Sequence, residues 1–142
     1  MKHDDCLFCK IIAGEIPSAK VYEDENVYAF LDISQVTTGH TLVIPKVHTV
    51  DIYEMDENVA SKIFTSVPKI ARAMKTAFKP AGLNILNNYE VAAGQSVFHF
   101  HLHLIPRYNK DDGFNAKWIM RNDEFSQEEL QDMANNIAKE IE

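Results

Sequence analysis

Three of the six histidines in this chain fall at alternate positions in one short stretch, Gln95-Ser96-Val97-Phe98-His99-Phe100-His101-Leu102-His103-Leu104-Ile105-Pro106-Arg107. Alternate side chains of a β-strand share a face. Val97, His99, His101, His103 and Ile105 are therefore expected on one side, with Ser96, Phe98, Phe100, Leu102 and Leu104 on the other. Same-face neighbours on a strand lie roughly 6.5 to 7 Å apart, so the three rings would span about the length of a phosphate ester with its leaving group. A helix would turn positions i and i+2 to different sides, and the run is aromatic-rich and closed by Pro106. Three imidazoles on one face and apolar side chains behind them describe a reactive site. A neutral imidazole, with an unperturbed pKa of about 6.5, is nucleophilic at pH 7. The same three rings could instead hold a catalytic zinc with an open position for water, or line a nucleotide-binding pocket with negligible turnover.

The only cysteines, Cys6 and Cys9, form a C-x-x-C. In a reducing compartment that spacing points to metal or redox chemistry. A redox reading wants a strand ahead of the motif within a βαβ unit, and here only a short polar segment precedes it. Two thiolates make half of a closed tetrahedral zinc site, and neutral imidazoles are their natural complement. His40, His48 and the three clustered histidines are the candidates. Two small buried apolar side chains would be the plain structural alternative.

The elements that must position these groups follow from periodicity and punctuation. Cys9 to Gly14 reads as a short helix stopped by glycine. Ala19 to Glu23 and Asn26 to Asp32 read as a β-hairpin turning at Asp24-Glu25, and Thr41 to Ile44 as a strand ended by Pro45. Asp56 is the expected N-cap of the longest helix, with Val59, Ala60, Ile63, Phe64, Val67, Ile70, Ala71, Met74 and Phe78 as its core stripe and a kink or break expected at Pro68. Leu83 to Leu86 reads as a fourth strand. The polar turn from Tyr108 leads to Phe114, Trp118, Ile119 and Met120, which look exposed. Ser126-Gln127-Glu128-Glu129 then reads as a capping box opening a last helix with Leu130, Met133, Ala134, Ile137 and Ile141 on one side. The order of elements gives an α+β domain with an antiparallel sheet of about five strands, one long helix and one C-terminal helix.

With 142 residues, 46% hydrophobic and 25% charged, the chain fits one domain, 1–142, that buries its own core. No apolar run reaches the ~20 residues of a membrane span, and the polar start Met1-Lys2-His3-Asp4-Asp5 lacks a signal-peptide core; a cytoplasmic protein without membrane contact is expected. A formal net charge of -7 argues against gripping a nucleic-acid backbone. It leaves room for a small phosphate ligand held by local donors.

Ala93-Gly94-Gln95-Ser96 followed by H-x-H-x-H and two apolar residues resembles the signature of the histidine triad (HIT) family of nucleotide hydrolases and transferases. The N-terminal C-x-x-C resembles its bacterial, nucleoside phosphoramidase-like branch. The resemblance covers about residues 6–107, leaving the tail 108–142 to its own periodicity. It implies a HIT-like fold and a homodimer with a continuous sheet. It also implies one structural zinc per chain on Cys6, Cys9, His48 and His99. The implied chemistry is attack on the α-phosphate of a purine nucleoside phosphoramidate or related adenylate through a covalent nucleotidyl-histidine intermediate. His101, the middle ring, is the nucleophile in that reading. His103, Asn88, Gln95 and Ser96 donate to the phosphate, and Ser96 passes a proton to the leaving amine. Asp32, in Leu31-Asp32-Ile33-Ser34, would take the ribose hydroxyls, though an aspartate there serves as readily to cap a turn. Phe8, Ile11 and Ile16 would sandwich the base, or are plain core. Family members usually carry a glycine shortly after the site asparagine; Tyr89-Glu90 departs from that, which bears on loop shape and leaving-group preference.

Overall fold

A computed structural model describes residues 3–141. Met1 and Lys2, which open the polar N-terminal stretch noted above, and Glu142 lie outside the described residues. The elements run α1 (Leu7–Ile12), β1 (Lys20–Glu23), β2 (Val27–Leu31), β3 (Thr41–Pro45), α2 (Glu57–Phe78), β4 (Gly82–Leu86), a 3-10 turn (Val91–Ala93), β5 (Leu102–Arg107) and α3 (Gln127–Ala138). The five strands form one antiparallel sheet in the order β1-β2-β3-β5-β4, so the expected α+β architecture is the one found. No helix of the described residues is long and apolar enough to cross a membrane.

Alternation along the strands builds two cores, one on each face of the sheet. Val27, Ala29, Val43, Leu102 and Leu104 face α2 and pack with its Ile63, Val67, Ile70 and Met74. Tyr28, Phe30, Leu42 and Ile44 face the other way and pack against Phe8 and Ile11 of α1. Each such side chain taken fully out of water stabilises the fold by about 1.5–3 kcal/mol. Because Leu42 pairs with His103 across the β3–β5 ladder, His103 lies on the α1 face while the bulk of the core sits behind it.

Helix α2 starts where expected, with the Asp56 side chain accepting from Asn58 N–H. It then continues as one helix through Pro68, so of the expected kink or break the break is not found. The proline removes a single backbone donor, and the buried stripe from Ile63 to Met74 holds the helix on the sheet across that position. Phe64 and Phe78 are not core: they are 55% and 45% exposed, because they sit at the rim of the apolar arc. Phe78 instead covers Gly39, whose φ of +92° and lack of a Cβ are both required, since a Cβ would stand 3.0 Å from the phenyl ring.

The larger correction concerns the histidine stretch. Only Leu102–Arg107 is strand; residues 97–99 bend, and His99 and His101 lie ahead of the ladder. The β3–β5 pairing stops at Val43–Leu102. Two positions further, Pro45 has no N–H to offer, and its carbonyl is taken by the ring of His99 at 2.8 Å. The alternation of faces nevertheless holds: the rings of His99 and His101 meet Phe8 of α1 and His103 pairs with Leu42 on that side, while Phe100, Leu102 and Leu104 pack in the core against α2.

Helix α3 has the expected capping box between Ser126 and Glu129 but no buried residue. Its Leu130, Met133 and Ile137 stay exposed, as do Trp118, Ile119 and Met120 before it.

Candidate active site and metal centre

Cys6 is the N-cap of α1, its sulfur accepting from Cys9 N–H at 3.4 Å, so the helix opens inside the C-x-x-C, at Leu7 rather than at the expected Cys9. This capping brings both sulfurs toward one point. Cys6 Sγ stands 3.4 Å and Cys9 Sγ 3.6 Å from His99 Nδ1, and Cys9 Sγ stands 3.4 Å from His48 Nδ1. Zinc bonds of about 2.3 Å to sulfur and 2.0–2.1 Å to nitrogen, at a tetrahedral angle, put S and N about 3.5 Å apart. The four groups therefore fit a tetrahedral ion on spacing as well as on ligand chemistry. His99 is fully buried. Its Nε2 donates to Pro45 O, and since a carbonyl only accepts, Nδ1 keeps its lone pair for the metal, the usual outer-sphere arrangement of a metal-ligating histidine. Burial pushes the Cys6 thiol up and holds His99 down at about 4.

His101 follows two residues on and is anchored through the backbone of the same segment. Phe100 N–H donates to Thr49 O at 2.7 Å, and Asn87 Nδ2 donates to His101 O at 2.6 Å. The His101 ring donates from Nδ1 to His99 O at 2.7 Å. That bond places the proton on Nδ1 and leaves Nε2 bare. Burial lowers the pKa of His101, partly opposed by the His99 carbonyl and Asp32. Phe8 meets the rings of both His101 and His99 edge-on.

His103 stands with its ring centroid 5.0 Å from that of His101. Its Nδ1 is 2.9 Å from Nε2 of His40. Burial, aided by the two neighbouring imidazoles, holds it at about 4. His40 is itself buried, with its Nε2 3.8 Å from Asp32 Oδ2. The triad rings thus divide: His99 joins the cysteines, His103 joins His40 and Asp32, and His101 stands between. A common three-histidine metal site, the rival expectation, is not formed among the described residues.

The remaining expected residues are placed as follows. Asp32 uses Oδ1 to accept from Ser34 N–H at 2.7 Å, closing a turn, while Oδ2 faces His40. Asn88 packs its carboxamide beside Gly94. Ser96 is exposed and opens onto a cleft of about 500 Å³ that also borders Cys6, His48 and Phe98. Gln95 is buried. Its Oε1 accepts from Glu90 N–H, and Nε2 donates to Val50 O and Val97 O, so the donors expected at the phosphate are engaged within the loop. Phe8 and Ile11 belong to the core under the site, with Ile16 partly buried against it. His40, weighed above only as a zinc ligand, and Asn87 were not anticipated in these places. Only the adjacency of β3, β4 and β5 brings them here.

The sequence matches the family described as HIT domain over residues 13–110. The chain belongs to the HIT family. It is 59% identical over 138 residues to the protein hit of Bacillus subtilis, covering 97% of this chain and 95% of that one. A crystal structure of a HIT family protein from Bacillus anthracis superposes with a TM-score of 0.95 at 59% identity, covering 98% of this chain and 99% of the other. A zinc-bound histidine triad family protein from Mycobacterium smegmatis is similar at 37% identity and a TM-score of 0.73, with 95% and 96% covered. The adenylylsulfatase HINT3 of Arabidopsis thaliana is 42% identical over 108 residues, 76% of this chain and 55% of that longer protein.

Proposed function

We propose that the chain is a nucleotide hydrolase acting by nucleotidyl transfer on the α-phosphate of a purine nucleoside phosphoramidate or a related adenylate. The observation that supports this best is the hydrogen bond from His101 Nδ1 to His99 O, which leaves a neutral ring with a free Nε2 lone pair. In the first step Nε2 forms a bond to the α-phosphorus and the bond from phosphorus to the leaving amine breaks. Ser96 gives that amine its proton. The imidazolium formed keeps its Nδ1–H on the His99 carbonyl. Water then attacks phosphorus, the N–P bond breaks, and a nucleoside monophosphate leaves while Ser96 regains its proton. His103 and Asn88 donate to phosphoryl oxygens as charge builds there. Gln95 orders the loop that presents Ser96. Asp32 remains the candidate for the ribose hydroxyls, and Phe8, Ile11 and Ile16 for the base. A similar adenylylsulfatase acts on an adenylyl substrate, in keeping with the class of chemistry.

Zinc on Cys6, Cys9, His48 and His99 would supply structural cross-linking between α1 and the segment that carries His101; the chemistry is left to the imidazoles. A cytoplasmic homodimer completes the reading, with no nucleic-acid or membrane partner.

Rapid quenching during turnover should trap a nucleotidyl group on His101, acid-labile and base-stable. His101→Ala should lose several orders of magnitude in kcat and still bind nucleotide. A label on Ser96 would reassign the roles. Nucleotide binding with no His101-dependent product would make the chain a binding module.

A further inference from the structure

We infer that His40, outside the triad, is a positioning residue that fixes His103 as the tautomer carrying its proton on Nε2. His40 Nε2 and His103 Nδ1 are 2.9 Å apart, a distance at which one nitrogen donates and the other accepts. Val36 decides between them. Its backbone N–H, which can only donate, lies 3.3 Å from His40 Nδ1. That nitrogen therefore presents its lone pair, and the His40 proton sits on Nε2. Asp32 Oδ2, 3.8 Å from the same Nε2, favours a proton there as well. Ser34 O also lies beside the ring, but the hydrogen-bond geometry at Nδ1 belongs to Val36. With Nδ1 of His103 accepting, the proton of that ring is confined to Nε2, on the edge remote from His40.

The orientation of His40 is set by its loop. Asp32 N–H and Gln35 Nε2 both donate to His40 O, at 3.0 and 2.7 Å, and His40 N–H donates to Thr37 O at 3.1 Å. Gly39 N–H donates to Gln35 Oε1 at 2.8 Å. A ring so held serves as a fixed donor. Its consequence for catalysis rests on the proposed function: a neutral His103 of this tautomer meets a phosphoryl oxygen with an N–H, whereas the other tautomer would meet it with a lone pair.

Ring ¹⁵N NMR of the full chain tests the tautomer without reference to turnover. His103 should be protonated at Nε2 and bare at Nδ1; protonation at Nδ1 in the wild-type chain overturns the inference. His40→Gln preserves both functions, since its carboxamide oxygen can accept from Val36 and its N–H can donate to His103, whereas His40→Leu preserves neither. With adenosine phosphoramidate as the probe, His40→Leu should lose about ten- to a hundredfold in kcat with KM within about threefold, and His40→Gln should recover most of it. In a His103→Ala background His40→Leu should cost nothing further. An undiminished loss in that background would mean that His40 acts through the fold, and the inference fails. Absence of His101-dependent turnover in the wild-type chain would remove the proposed reaction while the ring spectra still decide the tautomer.

Discussion

The carbonyl of His99 accepts from His101 Nδ1 at 2.7 Å, while the ring of His99 stands 3.4 and 3.6 Å from the sulfurs of Cys6 and Cys9. One residue faces the candidate metal cluster with its side chain and orients the proposed nucleophile with its backbone. Zinc bound there would cross-link α1 to this segment and so hold the acceptor of the His101 proton in place.

Metal content follows first. Purified protein should carry about one zinc per chain by elemental analysis, because the four groups fit a closed tetrahedral site, and chelation should lower the unfolding midpoint, since structural metal binding is also folding free energy. Full zinc content in a Cys6→Ala, Cys9→Ala double variant would rule out the site.

Acid stability should depend on His103. Burial and its neighbours hold this ring at about 4 in the folded chain, against an ordinary 6.5 when unfolded. Below 6.5 the unfolded chain takes up a proton that the folded one resists. Stability therefore falls as the pH drops from the ordinary value toward the folded one, and levels off below it. Urea midpoints between roughly pH 7 and 4.5 should fall less steeply for His103→Asn than for the wild-type chain. Parallel slopes would mean that this ring is not held neutral by its site.

Glu90 occupies φ 63°, ψ 161°, a conformation that is essentially glycine's and costs a side-chain-bearing residue about 1–3 kcal/mol. The loop keeps it there by bonding Glu90 N–H to Gln95 Oε1 and Gln95 N–H to Glu90 O. Glu90→Gly should stabilise the chain by about 1 kcal/mol in chemical denaturation, the strain relieved exceeding the added entropy of an unfolded glycine of about 0.5–1 kcal/mol. A loss of stability of that size would show that the glutamate side chain makes a contact worth more than the strain.

Dimerisation is the fourth expectation. Strand β4 ends the sheet with one edge unpaired, and α3 exposes Leu130, Met133 and Ile137. Bare strand edges and apolar faces of this kind are where chains associate. Light scattering should give about twice the 16.2 kDa of one chain at micromolar concentration. A mass near that of one chain would remove the homodimer.

Local signals in the sequence were enough for the strands, the Asp56 cap, the Ser126 capping box and the pairing of a C-x-x-C with histidines. They were not enough for the histidine stretch. Strict alternation foretold which side the rings take but not the backbone, where Phe100 N–H, His99 O and His101 O are tied to Thr49 O, the His101 ring and Asn87 instead of to a neighbouring strand. The alternative of a break at Pro68 failed because a helix held by burial tolerates a missing bond. His40 could not be assigned a partner from its neighbours in sequence; its partner lies 63 positions away and depends on β3 lying beside β5.

The cluster of Cys6 and Cys9 with His99 is separated along the chain by 93 and 90 positions. A ribosome adds roughly 5–20 residues each second and releases the N-terminus first. The two thiols therefore emerge seconds before the ring that completes their ligand set. Strand β5 also arrives last, and it must insert between β3 and β4, both already made. Until then the nascent chain presents a two-cysteine hook without its histidine and a sheet without its centre. The last strand to be synthesised, with the histidines ahead of it, thus completes the sheet, the candidate metal centre and the proposed nucleophile together, so a product truncated before His99 would lack all three.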